Sequence, residues 1–215
     1  ILVNSGETLT IEPGVTVQFD SDTYLKVEGA LYAVGTSSSY ITFQSNAASP
    51  DKSDWEGIRI RPTGGTTMDA SNNYVSGSYI KYATIKHADL GLYIWDTGLL
   101  VTNTEFLDNT DAIEIRRTNK VIISQCTFYN NNSGIYSIYS TPSGDDDYYG
   151  NIDNTYIEFN TFNNNSSTGI YLITNQSTFK NLNINSNIFT NNSTGITFGG
   201  GGYGPHADSI YIRNN

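Results

Sequence analysis

The sequence contains little charge and almost no sulfur. Only 15% of its 215 residues are Asp, Glu, Lys or Arg, and it has one cysteine and one methionine. The single cysteine, Cys126, excludes an intrachain disulfide framework. Runs of Leu, Ala, Glu and Lys, which favour helices, are nearly absent. These shortages disfavour a helical protein and favour a sheet-rich one.

Basic residues and long apolar runs are also scarce. Asp and Glu outnumber Lys and Arg by 21 to 11, so the net charge is −10. No basic cluster could neutralise a track of phosphates, and we therefore expect no nucleic-acid partner. The lack of a long apolar run argues against membrane insertion. The chain is rich instead in tyrosine, with 16 residues, and glycine, with 20, which suits strands and turns.

Five stretches of the chain repeat one pattern: an apolar residue, a polar patch, a small residue and an alternating strand. The apolar residues are Ile85, Phe106, Phe128, Phe162 and Phe189. The small residues are Gly91, Ala112, Gly134, Gly169 and Gly195, at successive spacings of 21, 22, 35 and 26. A period of 21 or 22 residues holding several short strands is one turn of a solenoid, called a rung below.

The longer spacings are explained by inserts. Residues 139–154 and 199–209 follow the strand after the small residue, and residues 62–78 occupy the same slot after "WEGIRI". Because all three inserts leave the coil after the same strand, we expect them to line one side of the sheet to which that strand belongs.

The opening stretches "TLTIEPGVTVQF", "LKVEGALYAVGT", "ITFQS" and "WEGIRI" resemble the first rungs of right-handed parallel β-helix proteins of the pectin-lyase-like superfamily. The later Asn-x-Phe-x-Asn-Asn…Gly-Ile pattern is similar to their later rungs. We therefore predict an all-β, right-handed parallel β-helix with about 7–9 rungs and three parallel sheets. It forms one domain over residues 1–215, with irregular first rungs at 1–61 and regular rungs at 79–215. This superfamily includes lyases, hydrolases, epimerases, adhesins and phage spikes, so the resemblance leaves the function open.

Strand alternation places one row of side chains on the outside of the sheet that contains the "GIYLI"-type strands. The candidate glycan-binding residues on this face are Tyr93, Trp95, Arg116, Tyr136 and Tyr171. We expect their aromatic rings to stack on sugars and the arginine to pair with carboxylates. The alternative is that these side chains only cover the sheet and bind no ligand, because tyrosine, threonine and arginine pack well on any exposed sheet.

Catalysis on the same face would need acids, bases and cations. The candidate catalytic residues are Glu114, Arg116, Arg59 and Tyr136, with Asp111 just before them. Superfamily enzymes show a denser cluster of Asp, Lys and Arg on adjacent rungs, and this sequence departs from that pattern. We therefore expect a non-catalytic face, with a polysaccharide lyase, hydrolase or epimerase as the alternative.

The polar turns contain two further candidate sites. The motif Asn-x-Ser/Thr marks glycosylation candidates at Asn131, Asn164, Asn165, Asn175, Asn191 and Asn192. The turn asparagines Asn160 and Asn187 share one repeat position, where their amides can bond along the stack. We expect no cofactor, with calcium as the alternative. The candidate calcium ligands are Asp145, Asp146 and Asp147.

Together these features predict a non-catalytic extracellular or cell-surface β-helix, acting as a scaffold or adhesion module. The chain starts at Ile1 without a methionine and stops within a repeat. We therefore expect either a longer protein with flanking domains or copies stacked end to end into a filament. The other alternative is a carbohydrate-binding module.

Overall fold

The computed structural model describes residues 1–61, 65–137, 152–173, 178–199, 206–207 and 209–215. Within these ranges the chain forms 29 β-strands and no helix. Accordingly, no helix in the described part of the chain is suited to crossing a lipid bilayer.

The strands wind into eight rungs. The first four rungs contain β1 (Leu2–Val3), β2 (Thr8–Ile11), β3 (Thr16–Phe19); β4 (Tyr24–Val27), β5 (Ala30–Val34), β6 (Ile41–Ser45); β7 (Gly57–Ile60), β8 (Thr67–Met68), β9 (Tyr74–Ser76), β10 (Tyr79–Lys81), β11 (Ala83–Lys86); and β12 (Leu90–Trp95), β13 (Leu99–Thr102), β14 (Glu105–Leu107). The last four contain β15 (Asp111–Arg116), β16 (Thr118–Asn119), β17 (Val121–Ser124), β18 (Thr127–Tyr129); β19 (Ser133–Ser137), β20 (Ile152–Asp153), β21 (Tyr156–Glu158), β22 (Thr161–Asn163); β23 (Thr168–Ile173), β24 (Thr178–Lys180), β25 (Leu182–Asn185), β26 (Ile188–Thr190); and β27 (Thr194–Gly199), β28 (His206–Ala207), β29 (Ile210–Arg213).

Equivalent strands of successive rungs pair in parallel and form three long sheets. Sheet A contains eight strands in the order β1-β4-β7-β12-β15-β19-β23-β27, and sheet B contains eight in the order β2-β5-β10-β13-β17-β21-β25-β29. Sheet C contains seven strands in the order β3-β6-β11-β14-β18-β22-β26. A four-stranded side sheet, β16-β20-β24-β28, lies between the A and B strands along the chain, and β8 and β9 form an antiparallel hairpin. The predicted parallel β-helix with three sheets is confirmed.

Alternating side chains of all three sheets fill one continuous core. In sheet A, Ile113 and Ile115 are fully buried, as are Leu92 and Ile94 on the neighbouring rung. Burial falls off in the last described rung, where Phe198 is 37% exposed. The core is therefore shared between rungs, since no single rung covers its own apolar side chains.

A column of stacked phenylalanines runs along sheet C. The rings of Phe106, Phe128, Phe162 and Phe189 stack with centroid separations of 5.0, 4.5 and 4.8 Å, close to the spacing of neighbouring strands. This column explains the glycine of two repeats, at Gly134 and Gly169. A Cβ atom added at Gly169 would lie 2.6 Å from Cδ1 of Phe189, so the ring occupies the space of a side chain.

Two rows of asparagine amides, buried except at their last members, bind the rungs together. The C–A row lies between sheets C and A, and it consists of Asn109, Asn131, Asn165 and Asn192. The B–C row lies between sheets B and C, and it consists of Asn160, Asn187 and Asn215. Each Nδ2 donates to the Oδ1 of the next asparagine at 2.8–3.1 Å. The predicted stacking of Asn160 and Asn187 is confirmed, whereas the C–A row was not anticipated from the sequence.

The first insert, residues 62–78, does not line the side of sheet A as expected. Its described part, residues 65–78, turns towards the outer side of sheet B, where Tyr74 lies 5.0 Å from Tyr79 and 6.0 Å from Tyr32 between ring centroids. The Lys120 ammonium group also donates to the carbonyl of Asp69 at 2.9 Å. The expectation was wrong for this insert because its tyrosine finds aromatic partners on sheet B. Most of the other two inserts lies outside the described residues.

Candidate functional site

The outward side chains of sheet A form two columns, which together are called the sheet A face. Strand register places the first column in the order Lys26, Arg59, Tyr93, Glu114, Tyr136, Tyr171 and Thr197. The second column contains Arg61, Trp95 and Arg116, in which Trp95 and Arg116 pair in register and Arg61 lies over Trp95. All the candidate glycan-binding and catalytic residues predicted from the sequence therefore lie on one face.

The carboxylate of Glu114 lies at the centre of the face and is held on both oxygens. Glu114 is only 4% exposed although it points away from the core. Nε of Arg116 donates to its Oε1 and forms an ion pair with it. The Tyr136 hydroxyl donates to its Oε2 at 2.8 Å. These three residues, predicted as a catalytic set, do meet, but Glu114 presents no free oxygen among the described contacts.

Tyr136 is a hydrogen-bond donor here. Burial raises the pKa of its hydroxyl, and the neighbouring Glu114 carboxylate raises it further. Burial also raises the pKa of Tyr93. Both hydroxyls consequently stay protonated near neutral pH and cannot act as bases, and the single Tyr136 proton is already donated to Glu114.

Arginine side chains cover several of the aromatic rings. The guanidinium carbon of Arg61 lies 3.9 Å from the Trp95 ring centroid, and that of Arg59 lies 4.3 Å from Tyr24. Arg116 lies 5.4 Å from the Tyr93 ring. The expectation that Trp95 and Tyr93 offer open rings to sugars is therefore corrected for the covered side of each ring. Tyr171 differs, because no ring or cation contact to it occurs within the described part of the chain.

Two residues at this face were not anticipated from the sequence. Tyr24 could have been found, because Tyr24-Leu25-Lys26-Val27 alternates like the later strands of sheet A. Arg117 could not, because it follows β15 in a left-handed conformation, with φ of 44°, outside the strand periodicity. Its Nη2 pairs with Asp96 at 2.7 Å, and its guanidinium carbon lies 5.6 Å from the Trp95 ring centroid.

Asp111, at the start of β15, is a second acidic group near Glu114 in the sequence. Burial raises the pKa of its carboxyl, and the nearby negative charges of Asp89 and Glu114 add to the rise. Hydrogen bonds from Ser133 act in the opposite direction. Asp111 and Glu114 thus form a pair of acidic groups in different surroundings.

The glycosylation candidates divide by burial. Asn131 and Asn165 are fully buried, and both hydrogens of each amide are used within the C–A row or by a backbone carbonyl. Attachment of a glycan to either would break the row. Asn192 belongs to the same row, whereas Asn164 and Asn191 lie exposed on turns. The remaining candidate, Asn175, lies outside the described residues.

The calcium candidates Asp145, Asp146 and Asp147 also lie outside the described residues. Over the ranges that are described, no three His, Cys, Asp or Glu side chains are grouped so that they could hold a metal ion. The one cysteine, Cys126, is buried, and burial raises the pKa of its thiol to about 12.

Comparison with solved structures finds distant likenesses. The catalytic unit of a thermostable GH87 alpha-1,3-glucanase from Streptomyces thermodiastaticus is 20% identical, with a TM-score of 0.44, over 97% of this chain and 39% of the glucanase chain. Tailspike protein 2 from an Escherichia coli O157:H7 bacteriophage is 13% identical, with a TM-score of 0.19, over 94% of this chain and 38% of its own. The chain therefore spans about two fifths of the length of these chains. No curated protein matches the sequence significantly.

A family comparison covers most of the chain. The family described as right-handed beta helix region matches residues 27–215. The match covers seven of the eight rungs almost completely. It also includes nine of the ten residues in the two sheet A columns, all but Lys26. The chain therefore belongs to the right-handed β-helix family.

Proposed function

We propose that this β-helix is a rigid extracellular or cell-surface scaffold that binds polysaccharide on the sheet A face without cleaving it. A parallel coil presents equivalent side chains at each rung, roughly 4.8 Å apart, along a straight line. An extended sugar chain laid along this line could meet donors and rings on several rungs in turn.

The observation that carries this proposal is the pairing of Tyr136 with Tyr171. The two tyrosines stand in register on β19 and β23, half-buried, with their rings free of guanidinium contacts among the described residues. Beside them, both oxygens of Glu114 are already engaged by Arg116 and Tyr136. The arrangement therefore offers rings and donors to a sugar, and it holds the central carboxylate in a structural role.

Replacement of Tyr171 by alanine tests this proposal. We expect Tyr171→Ala to weaken polysaccharide binding about tenfold, because a lost ring–sugar contact is worth about 1.4 kcal/mol. Binding would be measured by affinity electrophoresis against a panel of neutral and acidic polysaccharides. The matched control is Tyr129→Ala, which removes an exposed tyrosine from the outer side of sheet C. Equal binding by Tyr171→Ala and the wild type would contradict the proposed surface.

A polysaccharide-cleaving enzyme is the second candidate, and the Asp111–Glu114 pair favours it. An acid with a raised pKa close to a second carboxyl group is an arrangement that general acid catalysis of glycoside cleavage can use. The same polysaccharide panel would be incubated with the protein and assayed for new reducing ends or unsaturated ends. Product that disappears in Asp111→Asn and in Glu114→Gln would establish this candidate and remove the non-catalytic one.

A further inference from the structure

Arginine is distributed unevenly over this acidic chain. Four of its five arginines, Arg59, Arg61, Arg116 and Arg117, lie on or beside the sheet A face, although the net charge is −10. A face that gathers guanidinium groups on an otherwise acidic protein is a place where an anionic polymer meets less repulsion.

Three of these four arginines are already paired with acids. Arg59 pairs with Glu56, Arg116 with Glu114, and Arg117 with Asp96. Their charges are therefore largely compensated within the protein.

Arg61 is different. It forms no ion pair with any carboxylate in the described ranges, and its buried Nε has no hydrogen-bond partner there. Its guanidinium carbon lies 3.9 Å from the Trp95 ring centroid, and burial lowers its pKa. A guanidinium that stacks on a ring through its face keeps N–H donors along its edge, and these suit a planar or tetrahedral anion.

We propose that Arg61 is the anion-binding residue of the sheet A face and that the ligand is an acidic polysaccharide bearing carboxylate or sulfate groups. This inference rests on the proposed function, since it names the chemical class of the polysaccharide bound there. Arg61 lies on the third rung and Tyr171 on the seventh, so the two contacts stand roughly 19 Å apart along the coil. The ligand is therefore an extended polymer that Tyr171 meets through a ring and Arg61 through a charge.

The Arg61–Trp95 contact also disfavours stacking of a neutral sugar on Trp95. The guanidinium covers one side of the indole, which a sugar ring would otherwise be able to use. A nucleic acid is disfavoured for another reason. Its closely spaced phosphates need a track of cations, and three of the four arginines already neutralise acids of the protein.

The test compares polymers that share one backbone and differ only in charge. Polygalacturonate and its fully methyl-esterified form provide the carboxylate arm, and dextran sulfate and dextran provide the sulfate arm. Single-stranded DNA serves as a third polyanion. Affinities of the whole chain would be measured by biolayer interferometry at low and at physiological salt for the wild type and for Arg61→Gln. The matched control is Arg213→Gln, which removes the same charge from the far end of sheet B.

We expect the wild type to bind one charged polymer more tightly than its neutral partner, with an affinity that falls as salt rises. Arg61→Gln should weaken binding to the charged polymer about five- to tenfold, while Arg213→Gln leaves it unchanged. The charged arm that binds identifies carboxylate or sulfate as the anion.

Other results would overturn the inference, and they separate it from the proposed function. Tight binding to the neutral partner, or an unchanged preference in Arg61→Gln, would reject the anionic ligand and leave polysaccharide binding standing. Stronger binding to DNA than to either charged polysaccharide would reject the ligand class. Binding to no polysaccharide, charged or neutral, would reject both proposals together.

Discussion

Two neighbouring asparagines, Asn164 and Asn165, lie in opposite surroundings. The Asn165 amide is fully buried, and its Nδ2 donates to the Phe128 carbonyl at 3.1 Å and to Oδ1 of Asn192 at 2.8 Å. The Asn164 side chain is exposed on a turn with a φ of 59°. The same residue type therefore serves packing at one position and turn geometry at the next.

We predict that Asn165→Asp destabilises the fold by about 3 kcal/mol or more. An aspartate cannot donate to the Phe128 carbonyl or to Asn192, and it places a charge in a fully buried row. The adjacent control, Asn164→Asp, should change the free energy of unfolding by less than about 0.5 kcal/mol. Urea denaturation measures both variants, and similar midpoints for the two would contradict the structural role of the C–A row.

The carboxyl group of Asp111 makes stability depend on pH. Its pKa is higher in the folded protein than in the unfolded chain, chiefly because of burial. It therefore favours the folded state most at a pH below its unfolded pKa of about 3.9, and this contribution is lost as the pH rises through the folded pKa.

Asp111→Asn should remove this effect while keeping an oxygen that accepts from Ser133. We expect the variant to melt at a higher temperature than the wild type at pH 7, and we expect the difference to shrink towards zero near pH 3. Differential scanning calorimetry at the two pH values measures this. Glu12→Gln is the control, because Glu12 is exposed and its replacement changes the net charge by the same amount. A lower melting temperature for Asp111→Asn at pH 7 would rule out the burial penalty.

Among the structural elements, the phenylalanine column limits the size of the side chain that can follow the polar turn of a rung. At Gly169 a Cβ atom would lie 2.6 Å from a ring carbon of Phe189 and 2.7 Å from the Gly195 carbonyl oxygen. At Gly195 a Cβ atom would lie 3.6 Å from Cγ of Phe189, which is ordinary van der Waals contact. Ala112 shows that the small-residue position accepts a methyl group in another rung.

We predict that Gly169→Ala costs about 1–3 kcal/mol, because the added methyl group must displace a ring or a backbone carbonyl. Gly195→Ala is the matched control at the equivalent position of the next rung, and it should be nearly neutral. Thermal unfolding followed by circular dichroism compares the two. A neutral Gly169→Ala would show that the glycine is kept for a reason other than the space taken by Phe189.

The strands and their inward residues could be predicted from the sequence, because a repeat of 21 or 22 residues shows which positions are equivalent. The direction of the first insert could not, because it depends on Tyr74 meeting Tyr32 and Tyr79 across a long sequence separation. The stacking of arginines on aromatic rings could likewise not be predicted from the sequence. The alternation that places Arg61 and Trp95 on one face does not say whether a guanidinium covers the ring.

In the molecule as a whole, the sheet A face combines side chains from seven of the eight rungs, from Lys26 on the second to Thr197 on the eighth. Equivalent positions could be aligned across rungs from the sequence, which is why Tyr93, Glu114, Tyr136 and Tyr171 were correctly placed on one face. Arg117 lies outside that alignment, because it belongs to a turn.

The two asparagine rows hold successive rungs together along two of the three edges of the coil. The C–A row closes the edge between sheets C and A, and the B–C row closes the edge between sheets B and C. An extra segment at either edge would separate amides that meet in the later rungs. By sequence position, all three inserts lie instead at the remaining edge, between strands of sheet A and strands of sheet B. Loop length and composition can therefore vary there without separating the amides that hold successive rungs together.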